Sequence, residues 1–156
     1  MDAILFIGIQ ATGKSTFYKQ NFADTHLRIN LDMLRTRHRE SLILQACLEA
    51  KQSFVIDNTN PTQADRHRYI ALAKPLGFNI IGYYFQSKVK EAIARNNLRQ
   101  GKACIPEKGI FATQRRLEIP NYSEGFDQLY GVALVENNGF TVQAWEKCAQ
   151  NGSDAS

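Results

Sequence analysis

Apolar and polar positions along this chain follow two alternating rhythms. Ala3 to Gly8 is an almost unbroken apolar run, the pattern of a strand buried on both faces. Lys14 to Asn21 reads as a helix, and Leu27 to Asn30 as a short strand. A long helical pattern then covers Asp32 to Lys51, with Leu44, Cys47, Leu48 and Lys51 near helical spacing. Ser53 to Ile56 is a third strand. Asn60 followed by Pro61 predicts an N-cap with proline at the first helical position, in a helix ending near Gly77. Asn79 to Phe85 is a fourth strand, and a helix follows from Lys88 to about Arg99. Gly101 to Lys108 is basic and contains Gly and Pro, so it reads as a loop. Lys108 to Leu117 is again helical. Val132 to Val135 predicts an edge strand, and Phe140 to Trp145 either pairs beside it or begins a last helix. Strands alternating with longer helices predict an α/β fold with a mostly parallel central sheet of about five strands flanked by helices. Residues 1–150 are expected to form a single domain, with polar Asn151 to Ser156 as a frayed tail.

The first strand leads into Gly8-Ile-Gln-Ala-Thr-Gly13-Lys14-Ser15, a full match to G-x-x-x-x-G-K-[ST] with a strand before it and a helix after it. Glycines allow a tight turn that aims successive N–H groups at phosphate oxygens, and the following helix N-terminus favours the same anion. Gly8, Ala11, Thr12, Gly13, Lys14, Ser15 and Thr16 are therefore expected to cradle the phosphates of ATP. Lys14 is expected to be solvent-facing until it meets the β and γ phosphates, and Ser15 to ligate Mg²⁺. The fold class this implies is a P-loop NTPase or kinase.

Other residues gain meaning from that loop. Asp32 follows a strand and stands three residues ahead of Arg35, which would share its helix face. Asp32 can be a general base orienting an acceptor hydroxyl, with Arg35 holding an anionic group on the acceptor. An N-cap Asp beside a solvated Arg is equally compatible with the spacing. Asp57 ends the apolar strand Phe54-Val-Ile and resembles a Walker B carboxylate that supports Mg²⁺. The competing reading is a turn-forming Asp ahead of Asn58 and Asn60. The functional one is favoured because ligands bind at the carboxyl ends of such strands. Arg95 and Arg99 are four apart, ahead of the basic loop. They can form a lid arginine pair or a solvated helix end, which spacing alone favours.

Composition narrows the class. The chain has 156 residues, 44% apolar and 22% charged, enough for one ordinary globular core. A net charge of +4 and a pI of about 9.0 suit a polyanionic partner. The short N-terminal apolar run carries no signal-peptide features, and no membrane segment is visible. Three dispersed cysteines argue against a disulfide framework or zinc site and for a cytoplasmic setting. Arg66, His67, Arg68, Arg115 and Arg116 read mainly as solvated basic surface.

These blocks in order, Gly8 to Phe17, Ile29 to Arg35, Val55 to Pro61 and Arg95 to Pro106, resemble the kinase domain of polynucleotide 5′-kinases, phage and mammalian. The resemblance runs from about Ile4 to Tyr130. Ile56-Asp-Asn-Thr-Asn-Pro61 and Ser123-Glu-Gly-Phe126 look like the mammalian type. It implies ATP and Mg²⁺ at Lys14 and Ser15, Asp32 as the base on a 5′-hydroxyl, Arg35 on the acceptor's 3′-phosphate, and Arg99 as the lid arginine. It also implies a nucleic acid partner, DNA or RNA, with a 5′-hydroxyl end. Leu31 replaces the arginine often found before the catalytic Asp, and Gln100 shifts the lid register by one residue. No D-x-D-x-T or K-x-D-G motif occurs, so a stand-alone kinase module is expected. Two rivals stay open: a small-molecule kinase of the same fold, and a nucleotide-dependent switch protein without transferase activity.

Overall fold

Strand β1 (Asp2–Ile7) is the centre of the molecule, and its side-chain alternation explains the layers around it. Ala3, Leu5 and Ile7 point to one face of the sheet, where Leu44, Leu48, Tyr69 and Ile70 bury them. Ile4 and Phe6 point to the other, against Phe17, Tyr18 and Phe85. A strand covered on both sides has no polar face, hence the continuous apolar run. The second layer is rich in aromatics; Phe6, Phe17 and Phe85 pack edge to face, with centroids 5.0 to 5.8 Å apart. The computed structural model describes residues 1–86, 89–98, 106–135, 137 and 139–146.

The remaining elements are α1 (Lys14–Asn21), β2 (Leu27–Ile29), α2 (Leu31–Leu34), α3 (Arg37–Ala50), β3 (Phe54–Ile56), α4 (Gln63–Ala73), β4 (Asn79–Gln86), α5 (Val89–Asn97), α6 (Glu107–Arg116), β5 (Gln128–Val135) and β6 (Gly139–Trp145). Among the described residues the sheet has six strands, in the order β2-β3-β1-β4-β5-β6. All neighbours are parallel except β5 and β6. The chain leaves β1 for β3 and β2 on one side and later returns to β4 and β5 on the other. That reversal makes the carboxyl ends of β1 and β3 a topological switch point, where open α/β sheets bind ligands.

The structure revises several boundaries. The helix expected over Asp32 to Lys51 is broken, because Arg35 takes φ +77° and Thr36 starts a new helix, its hydroxyl accepting from Arg39 N at 3.1 Å. Arg35 therefore does not continue a helical face with Asp32. Lys51 ends α3 in the left-handed region rather than lying within it. The cap of α4 is Thr62, not Asn60: Thr62 and Asp65 form a reciprocal capping box. Asn60 instead has φ +43° and donates its amide to Phe6 O. β5 lies inside the sheet rather than at its edge, and Phe140 to Trp145 is strand, supplying the sixth, antiparallel edge. Among the described residues no helix is long and apolar enough to cross a membrane.

Candidate active site

Beyond Ile7 the backbone curls through the glycine-rich loop into α1. Gly8 has φ +154°, and a Cβ there would lie 3.0 Å from both Cβ and the carbonyl oxygen of Phe85. Gly13, the N-cap, has φ +92°, and its Cβ would meet the Phe140 ring at 2.9 Å. Both positions need glycine for conformation and for space. Ala11 is held at φ +62°, an uncommon state for a residue with a side chain. Thr12 is buried and ties its hydroxyl to Ile9 O at 3.0 Å, bracing the loop from within. No side chain caps α1 and no acid stands in its first turn, which also carries half-buried Thr16. The helix thus offers N–H groups and a positive end to an anion.

Lys14 departs from the expected solvent-facing pose. It is only 9% exposed, and its Nζ donates to Gly8 O at 3.1 Å and Ile9 O at 2.6 Å. Folded back in this way, the ammonium braces the loop beside the anion site. Ser15 Oγ donates to Asp57 Oδ2 at 3.0 Å, so the P-loop hydroxyl and the carboxylate ending β3 form one corner. These hard oxygen donors fit Mg²⁺. A third group shares the corner: Arg28 of β2 donates from Nε to Asp57 Oδ2 at 2.8 Å and from Nη2 to Ser15 Oγ at 2.9 Å.

Asp32 is exposed in the first turn of α2 and is not its cap. Asn30 is the cap: its Oδ1 accepts from Met33 N at 2.9 Å, and its Nδ2 donates to Asp57 O at 2.6 Å. Leu31 N donates to Asn58 Oδ1 at 2.8 Å. These bonds fasten the backbone on either side of Asp32 to the end of β3, next to the P-loop. Buried Glu40 supports the arrangement, accepting from Asn58 Nδ2, Tyr69 Oη and Arg37 Nη1 at 2.8 to 3.1 Å. Burial, with Glu40 beside it, pushes the Tyr69 hydroxyl up to about 12, so it stays a donor at neutral pH.

Two cavities meet at Asp32. One, of about 100 Å³, is lined by Lys14, Ser15 and Asp57. The other, of about 260 Å³, is lined by Arg37, Arg116, Asp65 and Pro61. Gln10, Asp32, Asn58 and Thr59 border both. Gln10 donates to Thr113 Oγ1 at 2.9 Å, while its buried Oε1 has no partner among the described residues. Arg35 is exposed just past α2 and does not line the groove. Arg95 reaches the P-loop itself, its Nε donating to Ala11 O at 2.6 Å. Arg99 lies outside the described residues, as do residues 101–105 of the loop expected over Gly101 to Lys108, whose last two residues instead begin α6.

Sequence reasoning missed Arg28, Gln10 and Arg37, and counted Arg116 with a mainly solvated basic surface that could also contact longer strands. Arg28 left one signal, a cation in a short strand feeding the Asn-Leu-Asp segment. The others face the site only because separate segments converge.

A family model described as an AAA domain matches residues 4–120. The chain belongs to this family. Over 134 residues this AAA-domain chain is 31% identical to the bifunctional polynucleotide phosphatase/kinase of Schizosaccharomyces pombe, a match covering 80% of the chain and 32% of that protein. A bifunctional polynucleotide phosphatase/kinase named as putative in Acanthamoeba polyphaga mimivirus is 27% identical over 140 residues, covering 85% of the chain and 33% of that protein. The chain thus spans about a third of the length of the curated relatives it matches. Among solved structures, Chaetomium thermophilum Kti12 in complex with ADP-AlF3 superposes with a TM-score of 0.67 at 17% identity, over 84% of this chain and 88% of that one. A gluconokinase from Sinorhizobium meliloti 1021 superposes with a TM-score of 0.59 at 17% identity, over 84% of this chain and 81% of that one. The fold of this AAA-domain chain is therefore the P-loop kinase fold, with six strands rather than about five.

Proposed function

We propose that this chain is an ATP-dependent kinase that transfers the γ-phosphoryl group to the 5′-hydroxyl end of a nucleic acid. The observation that carries this reading is the position of Asp32, which lines both the P-loop cavity and the groove that Arg37 and Arg116 also line. Phosphoryl donor, proton acceptor and cations for a phosphate-bearing acceptor then lie in that order. The similarity to proteins named polynucleotide phosphatase/kinase supports the same substrate class.

In this reading, N–H groups of the Gly8–Gly13 loop and the start of α1 bind the nucleotide phosphates. Lys14 exchanges its carbonyl partners for β and γ oxygens. Ser15 and Asp57 would hold Mg²⁺, which would supply positive charge beside the nucleotide phosphates. Asp32 takes the proton of the attacking hydroxyl, and Asn30 and Asn58 keep its backbone against β3. Arg99 is assigned to the lid, and Arg95 ties α5 to the P-loop. Arg35 is the residue the family resemblance assigns to the acceptor phosphate; the groove itself offers Arg37 and Arg116. A cytoplasmic setting belongs to the same reading and rests on the three dispersed cysteines of the sequence.

The test is incubation with γ-labelled ATP and a panel of 5′-hydroxyl oligonucleotides, nucleoside 3′-monophosphates, plain nucleosides and sugars. Label on oligonucleotides and 3′-monophosphates, far above nucleosides and sugars, is expected. Equal labelling of sugars or plain nucleosides would leave a small-molecule kinase, and no labelling at all a nucleotide-dependent switch.

A further inference from the structure

The corner assigned to the divalent cation already contains a cation of the protein's own. The Asp57 side chain is 2% exposed, and a carboxylate that buried needs a partner. Arg28 supplies it through Nε, and the same guanidinium reaches Ser15 Oγ through Nη2. Ser15 closes the triangle by donating its hydrogen to Asp57 Oδ2. The guanidinium is steadied on its far side by Tyr18, whose ring centroid lies 5.9 Å from the guanidinium carbon. Tyr18 is itself fixed by its hydroxyl on His26 O at 2.6 Å.

The strand's alternation places Arg28 there. Ile29 points into the layer shared with α3, so Arg28, its neighbour along the strand, points to the opposite face, toward α1 and Tyr18. A serine hydroxyl has one hydrogen and two lone pairs. The hydrogen is committed to Asp57, and one lone pair faces Arg28. A cation taking Ser15 as a ligand draws on the same oxygen, and its charge repels a guanidinium a hydrogen bond away.

We propose that Arg28 is a positioning residue that stands in for the divalent cation, clamping Ser15 to Asp57 and yielding Ser15 when the cation arrives with the nucleotide. This rests on the assignment of Ser15 and Asp57 as the cation's ligands. Its consequence is a set opposition: the clamp keeps a buried acid neutralised and the P-loop hydroxyl in place, and it lowers the gain in nucleotide affinity that Mg²⁺ confers. Because Mg²⁺ and Arg28 compete for these oxygens and repel each other, the opposition belongs to the coupling between cation and nucleotide and not to nucleotide affinity in general.

The experiment is calorimetric titration of the whole protein with ADP, in EDTA and in excess MgCl2 at matched ionic strength, on the wild type, Arg28→Gln, Arg28→Lys and Ser15→Ala. The coupling is the ratio of the two dissociation constants. Arg28→Gln should raise it about tenfold, the weight of one charge-assisted hydrogen bond, and should lower the melting temperature in EDTA more than in Mg²⁺ with ADP. Arg28→Lys keeps the charge without the fork and should fall between; if Arg28→Gln does not fold, this variant alone decides. Ser15→Ala should lower the coupling. An Arg28 variant that weakens ADP equally in both buffers makes Arg28 a phosphate ligand and overturns the proposal. Unchanged coupling in the Arg28 variants, with Ser15→Ala reduced, overturns it while leaving the cation assignment standing. Unchanged coupling in Ser15→Ala overturns the cation assignment and the proposal together.

Discussion

Lys14 and Asp32 are the two residues on which the proposed chemistry most depends, and their surroundings give them different costs. Lys14 is buried on the carbonyls of Gly8 and Ile9. Lys14→Met keeps most of the stem volume but strands those acceptors, so it should cost roughly 1–3 kcal/mol of stability as well as phosphoryl transfer. We expect turnover to fall by at least about 10²-fold in a protein that still melts cooperatively, followed by labelled-ATP assay and circular dichroism. A folded Lys14→Met protein with full activity would remove the P-loop from the mechanism. Asp32 is exposed and bonded through its backbone neighbours, so Asp32→Asn should leave the fold alone. Loss of the proton acceptor should lower turnover about 10²- to 10⁴-fold, with nucleotide affinity by calorimetry near that of the wild type. A parallel loss of ADP affinity would make Asp32 a cation or phosphate ligand instead of a base.

At the scale of elements, the break between α2 and α3 decides which arginine faces the acceptor. Arg35 at φ +77° ends one helix, and Thr36 caps the next. The groove is thereby given Arg37, held by Glu40 at 2.8 Å and Tyr69 at 3.0 Å. The preference for a nucleoside 3′-monophosphate over the plain nucleoside should fall about tenfold in Arg37→Ala and less in Arg35→Ala, measured as a ratio of kcat/KM values. The reverse order would return the acceptor phosphate to Arg35. The start of α4 borders the same groove. Thr62→Ala removes one half of its capping box and should cost about 1 kcal/mol, read as a lower denaturant midpoint at constant slope. Asp65, the other half, also pairs with Arg116 at 3.5 Å, so the variant should disturb acceptor KM more than nucleotide affinity.

At the scale of the whole molecule, charge adds what no single contact does. The net charge is +4 over 156 residues, while the groove itself balances Arg37 and Arg116 against Asp32 and Asp65, so a longer strand would meet the excess positive charge beyond it. Oligonucleotide binding should release counterions from each contacted phosphate, so KM for an oligonucleotide should rise steeply with salt. A mononucleotide acceptor touches fewer phosphates and should show a shallower slope. Parallel salt titrations of both acceptors check this. Equal slopes would confine recognition to the terminal nucleotide.

The sequence alone determined what depends on local rules. The continuous apolar β1 and the glycine spacing after it are written in neighbouring residues, so the P-loop and the parallel α/β class are legible in the chain itself. Ser15 in its loop and Asp57 at a strand end are likewise local patterns, but their contact at 3.0 Å is made by the packing of α1 against β3. The places where local rules mislead share one physical cause. A helical period from Asp32 onward cannot show that Arg35 adopts a positive φ, because nothing in its side chain demands it. Asn60 looks like a cap by type, but β1 claims its amide through Phe6 O and leaves the capping to Thr62. Arg28, Gln10, Arg37 and Arg116 come from four separate segments, and only the packing of β2, the P-loop, α3 and α6 brings them around one corner and one groove. Residue type and spacing set which groups can do chemistry; the crossing of distant strands and helices set which of them meet.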